Sequence, residues 1–211
     1  MKRRSVRMLA VFMVLLGLTA LWARHYIRRH PLVFNESFWG HEHCIKGIGL
    51  SLQVFAMEHG GRFPSHANGY GDALLLLSNE VNCCWALLTG PGYSGEVFGK
   101  AAATGRDLPE AECGRVYVQG LSTADNPDVV LLFDKVPTPG GDHRHGLARL
   151  KAPLLREVWT IGDGMSSVLE SNWPAFARGQ IELLVEVGFS RLEAERLYAA
   201  PSGEREPASP R

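Results

Sequence analysis

The densest group of potential ligands in this chain is Asp142-His143-Arg144-His145, within GGDHRHG. On an extended segment His143 and His145 point to the same side. Two imidazoles on one side, with Asp142, Asp163 or Asp134 supplying oxygen, are donors of the kind that hold a divalent metal. Gly140 and Gly141 ahead of the cluster would let a loop close around an ion. The same residues suit a solvated loop whose histidines hydrogen-bond a hairpin, because two His without a third defined ligand do not specify a metal. His41-Glu42-His43-Cys44 also carries donors, but at a helix start adjacent side chains face different ways. Asp163-Gly164 reads most plainly as a turn between two strands. Other reaction chemistry is missing. Gly92-Tyr93-Ser94-Gly95 lacks the spacing of a nucleophile elbow, and no phosphate-cradling glycine motif, zinc-protease helix or calcium loop occurs. The expectation is a protein without enzymatic activity and without a cofactor. The alternative is a metal-binding module or metal-dependent hydrolase using His143 and His145.

These residues must be held by the elements around them. Ile45, Ile48, Leu52 and Phe55 recur at steps of three, four and three, the stripe of an amphipathic helix. Leu50, Val54 and Met57 are expected to widen that stripe, with Lys46, Gln53 and Glu58 on the wetter side. Gly60-Gly61 ends the helix near His59, and Pro64 prevents its restart. Asp72 is expected to cap a second helix through DALLLLSNEVNCCWALL, closed by Thr89-Gly90-Pro91-Gly92. A short helix is expected at 97–103. Strand-like runs follow at RVYVQG, DVVLLFD and REVWTIGDG, the last two separated by a proline- and glycine-rich loop. Asn172 is placed to cap a helix ended by Gly188, and Ser190 with Glu193 forms a capping box for the last helix. The order of helices, closely spaced strands and helices describes an α+β domain with an antiparallel sheet, not a doubly wound parallel one.

Lys plus Arg and Asp plus Glu both number 22 in 211 residues, so no basic excess points to nucleic acid. The charge is unevenly placed. Lys2, Arg3, Arg4 and Arg7 precede the uncharged run from Met8 to Ala23, and Arg24, Arg28 and Arg29 follow it. As a helix that run spans roughly 24 Å, close to the ~30 Å hydrocarbon core. Trp22 and the arginines beyond it suit a retained single-pass anchor, whereas Leu18-Thr19-Ala20 would serve a cleaved signal. Either way the bulk of the chain is expected on the extracytoplasmic side of the cell membrane. The expected organisation is an anchor over 1–30, an α+β domain over 31–170, a helical pair over 171–200 and a disordered polar tail over 201–211. Cys44, Cys83, Cys84 and Cys113 could oxidise in that compartment, or all four could be buried thiols.

An apolar N-terminal segment, then GLSLQVFAMEHGGRFPS, resembles the start of bacterial type II secretion and type IV pilin-like proteins, the pseudopilins. The later part is similar to a subset of that family in which an Asp and a His precede a hydrophobic strand closing on Asp-Gly. Asp134, His143 or His145, Val158-Trp159-Thr160-Ile161 and Asp163-Gly164 hold the matching places. The resemblance implies an amphipathic helix packed on an antiparallel sheet, membrane attachment, and work through contacts with other proteins such as secretion or surface-assembly components. A prepilin processing signal of the Gly-Phe-Thr-Leu-Ile-Glu type is absent from Met1 to Ala23, so the likeness speaks for the fold more than for a filament. Separately, Val187-Gly188-Phe189-Ser190 with Glu193-Ala194 resembles the first two helices of a ubiquitin-associated domain. A plain helix-turn-helix packing unit accounts for those residues equally, and a partner-binding role for the pair is a further alternative.

Overall fold

Ile45, Ile48, Leu52 and Phe55 lie at most 5% exposed along one face of helix α1 (Ile45–Glu58). In a computed structural model that describes residues 45–80, 88–91, 93, 95–140, 152–162 and 164–199, this face packs on an antiparallel sheet. Gly49 sits against the indole of Trp159, where any Cβ would fall inside the ring. The helix can approach so closely only because that position has no side chain. Gly60 and Gly61 both adopt positive φ, 63° and 84°, and Gly61 N donates to Ala56 O, which ends the helix.

Helix α2 (Tyr70–Glu80) and helix α3 (Gly95–Thr104) precede the strands. The sheet comprises β1 (Arg115–Tyr117), β2 (Val130–Asp134), β3 (Thr138–Pro139), β4 (Leu154–Thr160) and β5 (Met165–Leu169), every pair antiparallel. β4 is the hub. One edge of it pairs with β2 and, further back, with β3; the other edge pairs with β5 along its length. Thr160 N donates to Gly164 O at the end of the β4–β5 hairpin; of the expected Asp163-Gly164 turn, Asp163 lies outside the described residues.

After the sheet come α4 (Trp173–Glu186) and α5 (Arg191–Tyr198). Side chains alternate across a strand, and register assigns the two faces. Trp159 and its neighbour Leu132 face α1, whereas Phe133 faces the C-terminal pair, 5.2 Å from Trp173 and stacked at 4.7 Å on Tyr198. The sheet is therefore covered on both sides, which is why β2 is buried at every position and reads as the continuous run VLLF rather than an alternation. Gln180 joins the layers at an irregularity of β2: its Oε1 accepts from Val130 N and its Nε2 donates to Asp128 O.

Several local expectations change. Leu50, Val54 and Met57 do not widen the buried stripe; they are 50%, 45% and 83% exposed. At the helical turn angle they fall on the side opposite Ile48 and Leu52. Asp72 lies within the first turn of α2 rather than capping it, and its Oδ1 accepts from Leu108 N at 2.6 Å. Asn172 makes no side-chain cap to α4. Thr138–Pro139, expected as loop, is a short strand. The Ser190–Glu193 capping box is present with both reciprocal bonds. Among the described residues no helix is long and apolar enough to cross a membrane. The expected anchor, residues 41–44, Cys83, Cys84 and the tail over 201–211 lie outside the described residues.

Candidate functional site

Of the residues with metal-ligand chemistry, Asp142, His143, His145 and Asp163 lie outside the described residues. Asp134 is described and is committed elsewhere. Its Oδ1 accepts from Arg115 Nε at 3.0 Å and its Oδ2 from Glu157 N at 3.2 Å, with both Arg115 and Asp134 fully buried. At the end of β2 this carboxylate takes the place of the next main-chain partner of β4. It holds the sheet together, and its oxygens are spent on that task. Among the described residues no group of His, Cys, Asp and Glu could hold a metal ion.

The described polar groups gather instead in a cleft of about 760 Å³, formed by the turn after β1, the 3-10 segment Glu110–Glu112 and the loop joining α4 to α5. Tyr70, Glu110, Gln119, Lys135, Phe189 and Arg196 define it. Lys135 lies on its floor, with Nζ donating to the carbonyl of Glu110 and standing 5.5 Å from the ring centre of Tyr70 and 5.7 Å from that of Tyr93. Aromatic faces of this kind stabilise a desolvated ammonium. Tyr70 also donates its hydroxyl to Glu110 O at 3.3 Å, while the Glu110 carboxylate accepts from Tyr70 N and lies 3.5 Å from Arg196. Burial pushes the Tyr70 phenol well above its ordinary range, so it stays protonated and donating. The Cys113 thiol, packed behind Tyr70, is a free and buried cysteine that burial pushes up to about 12. The cleft thus sets charged and hydrogen-bonding groups beside aromatic faces.

Sequence reasoning did not single out Lys135, Tyr70, Glu110 or Arg196. They come from four elements far apart in the chain, and only the charged residue inside the hydrophobic stretch VLLFDKV hinted at a buried cation. Phe189, at the centre of the ubiquitin-associated-like segment, is turned toward Gly120 and lines the cleft.

A second feature faces solvent. Leu50, Val54 and Met57 form an apolar stripe along the outside of α1, directly behind the face buried on the sheet. A helix apolar on both sides is ordinarily buried on both.

No family, no curated protein and no solved structure matches this chain.

Proposed function

We propose that this chain is a membrane-anchored, exported protein of pseudopilin-like build, acting through contacts with other proteins rather than by transforming a substrate. The apolar segment Met8–Ala23 is the anchor in this reading, and residues beyond Arg29 lie outside the cytoplasm. The observation that carries it is the double-sided helix α1. One stripe is spent on the sheet, and the other, Leu50, Val54 and Met57, stands in water. Its occupant is an apolar helix face of a protein held at the same membrane surface. Confinement there aligns such helices and raises their effective concentration.

Protease treatment of intact cells, read together with the mass of the mature chain, tests the placement. Cleavage beyond Arg29 with the N-terminal segment retained is expected; full protection, or loss of residues 1–23, overturns the anchored arrangement. A photo-crosslinker at Met57 tests the contact. It is expected to give a discrete protein adduct in cells, whereas one at Arg178, exposed on α4, gives none. Equal labelling from both positions rejects the stripe as a specific surface.

A further inference from the structure

We infer that β5 is a self-pairing edge, through which two copies of this chain join their sheets into one. The inference stands apart from the proposed anchoring and from the α1 stripe, since it uses a different element and a different kind of bond.

β5 lies at the border of the sheet, paired on one side with β4 and with nothing on the other among the described residues. The direction of its main-chain groups follows from the hairpin. Thr160 bonds to Gly164, and antiparallel partners alternate between bonded and non-bonded pairs. Ser166 and Val168 therefore turn their N–H and C=O groups toward β4. Met165, Ser167 and Leu169 turn theirs outward. The strand is exposed at every position except Val168, so those groups are reachable.

Natural sheets protect such borders with charge, proline, a bulge or a covering segment. One other border and the chain that follows β1 are protected in this way. β3 carries Pro139, and beyond β1 the chain is covered where Phe63 N donates to Leu121 O and Arg62 bridges Ser122. Among the described residues β5 has no charge, proline, bulge or covering strand at its outer edge. MSSVL holds no charge and no proline, and its register with β4 is regular from Met165 to Leu169.

The pattern is also self-complementary, and this selects a second copy as the occupant. Antiparallel pairing of β5 with itself about a two-fold axis at Ser167 sets each outward-pointing residue against another. Ser167 meets Ser167 of the partner subunit, and Met165 meets Leu169 of the partner subunit. Each pair exchanges N–H···O bonds. Met165 and Leu169 are 36% and 39% exposed on the α1 face, and each would gain an apolar neighbour across the junction. The nearest described charge, Glu170, is already held by Arg156 at 2.7 and 2.9 Å, and falls opposite Gly164 of the partner subunit. No like charges meet.

The test is sedimentation of the full-length chain in detergent at micromolar concentration. The wild type is expected to be a dimer. Ser167→Lys and Ser167→Asp place like charges opposite each other on the axis, and each is expected to weaken the dimer at least about tenfold. Mixing the two variants is expected to restore it, because Lys then meets Asp. Independently, Ser167→Cys is expected to form a disulfide-linked dimer above the wild-type background, since bonded antiparallel partners lie about 5.5 Å apart between Cα atoms. Arg178→Cys is expected to form none. A monomeric wild type overturns the inference and leaves the edge to a strand of another protein. A dimer indifferent to both charges overturns it in favour of another surface. If the charged variants do not fold, equal crosslinking from Ser167→Cys and Arg178→Cys is by itself sufficient to reject it.

Discussion

The two faces of the sheet are sealed by different chemistry. Against α1 the seal is aliphatic and close: Ile48, Leu52 and Phe55 on the helix, Leu132 and Trp159 beneath, and Gly49 drawn onto the indole. Toward the C-terminal pair it is aromatic, with Trp173 against Phe133, Phe176 and Tyr198, Phe133 stacked on Tyr198, and the Arg156 guanidinium 4.7 Å from the Trp173 ring. The ion pairs differ in the same sense. Arg115–Asp134, on the α1 side, is completely dry, whereas Arg156 on the other side meets a Glu170 side chain that is 36% exposed. The phenols differ too. Tyr117 donates its buried hydroxyl to Pro64 O at 2.7 Å, but the buried hydroxyl of Tyr198 has no hydrogen-bond partner among the described residues. Among the described residues one indole N–H on each face, Trp159 and Trp173, is also without an acceptor, so the contrast rests on the charges and phenols.

The largest effect should come from the dry ion pair. Asp134→Ala leaves Arg115 buried without its carboxylate and is expected to lose about 3–5 kcal/mol in urea unfolding. Glu170→Ala, by contrast, is expected to cost no more than about 1 kcal/mol, because solvent already screens that pair. Arg156 also keeps the carbonyl of Lys135 and the Trp173 ring. Equal losses from the two substitutions would erase the distinction between the faces. Gly49→Ala is next. The added methyl meets the Trp159 ring, and overpacking of this kind costs about 1–3 kcal/mol, more than the helix propensity of alanine returns. A neutral result would show that the α1 seal is not tight.

Alkaline titration probes the interior through Cys113. Its thiol is raised by burial from 9.0 to about 12. Above the ordinary thiol value the unfolded chain releases this proton while the folded chain keeps it, so stability falls as pH rises. The slope for that one group is about 1.4 kcal/mol per pH unit. Cys113→Ala is expected to flatten the thermal-denaturation profile between pH 9 and about 12 relative to the wild type. An unchanged profile would assign the alkaline loss to Tyr70, Tyr117 and Tyr198, whose phenols burial also raises. The smallest effects carry the sharpest contrast, because one substitution is expected to change sign between faces. Tyr117→Phe removes a made hydrogen bond and is expected to cost about 1 kcal/mol, whereas Tyr198→Phe removes an unmet donor and is expected to be neutral or slightly stabilising.

Much of this architecture was legible in residue spacing. The periodicity of Ile45, Ile48, Leu52 and Phe55, the Gly60-Gly61 stop, the strand runs and the Ser190–Glu193 box are local signals, and they act locally. Leu50, Val54 and Met57 were misplaced because hydropathy says that a residue is apolar, not which of two opposite faces a sheet will meet. Asp72 has the chemistry of a cap, but the Leu108 N–H, 36 residues away, claims its carboxylate. The pairing of the buried charges was not legible. Arg115 and Asp134 become neighbours only through strand register, which no local pattern encodes. The cleft shares that origin, since Tyr70, Glu110, Lys135 and Arg196 meet only after the C-terminal pair has folded back over the sheet.

Gln180 gives that last step a cost of its own. Its amide supplies an acceptor to Val130 and a donor to Asp128 where the ladder of β2 slips, so a helical side chain finishes a strand. A chain cut ahead of Trp173 would lose more than an accessory: it would bare the aromatic floor and leave the start of β2 with main-chain groups unmet. Full closure of the sheet therefore waits for α4, and the segment from Trp173 to Tyr198 is neither a module to be transplanted nor an appendage to be trimmed.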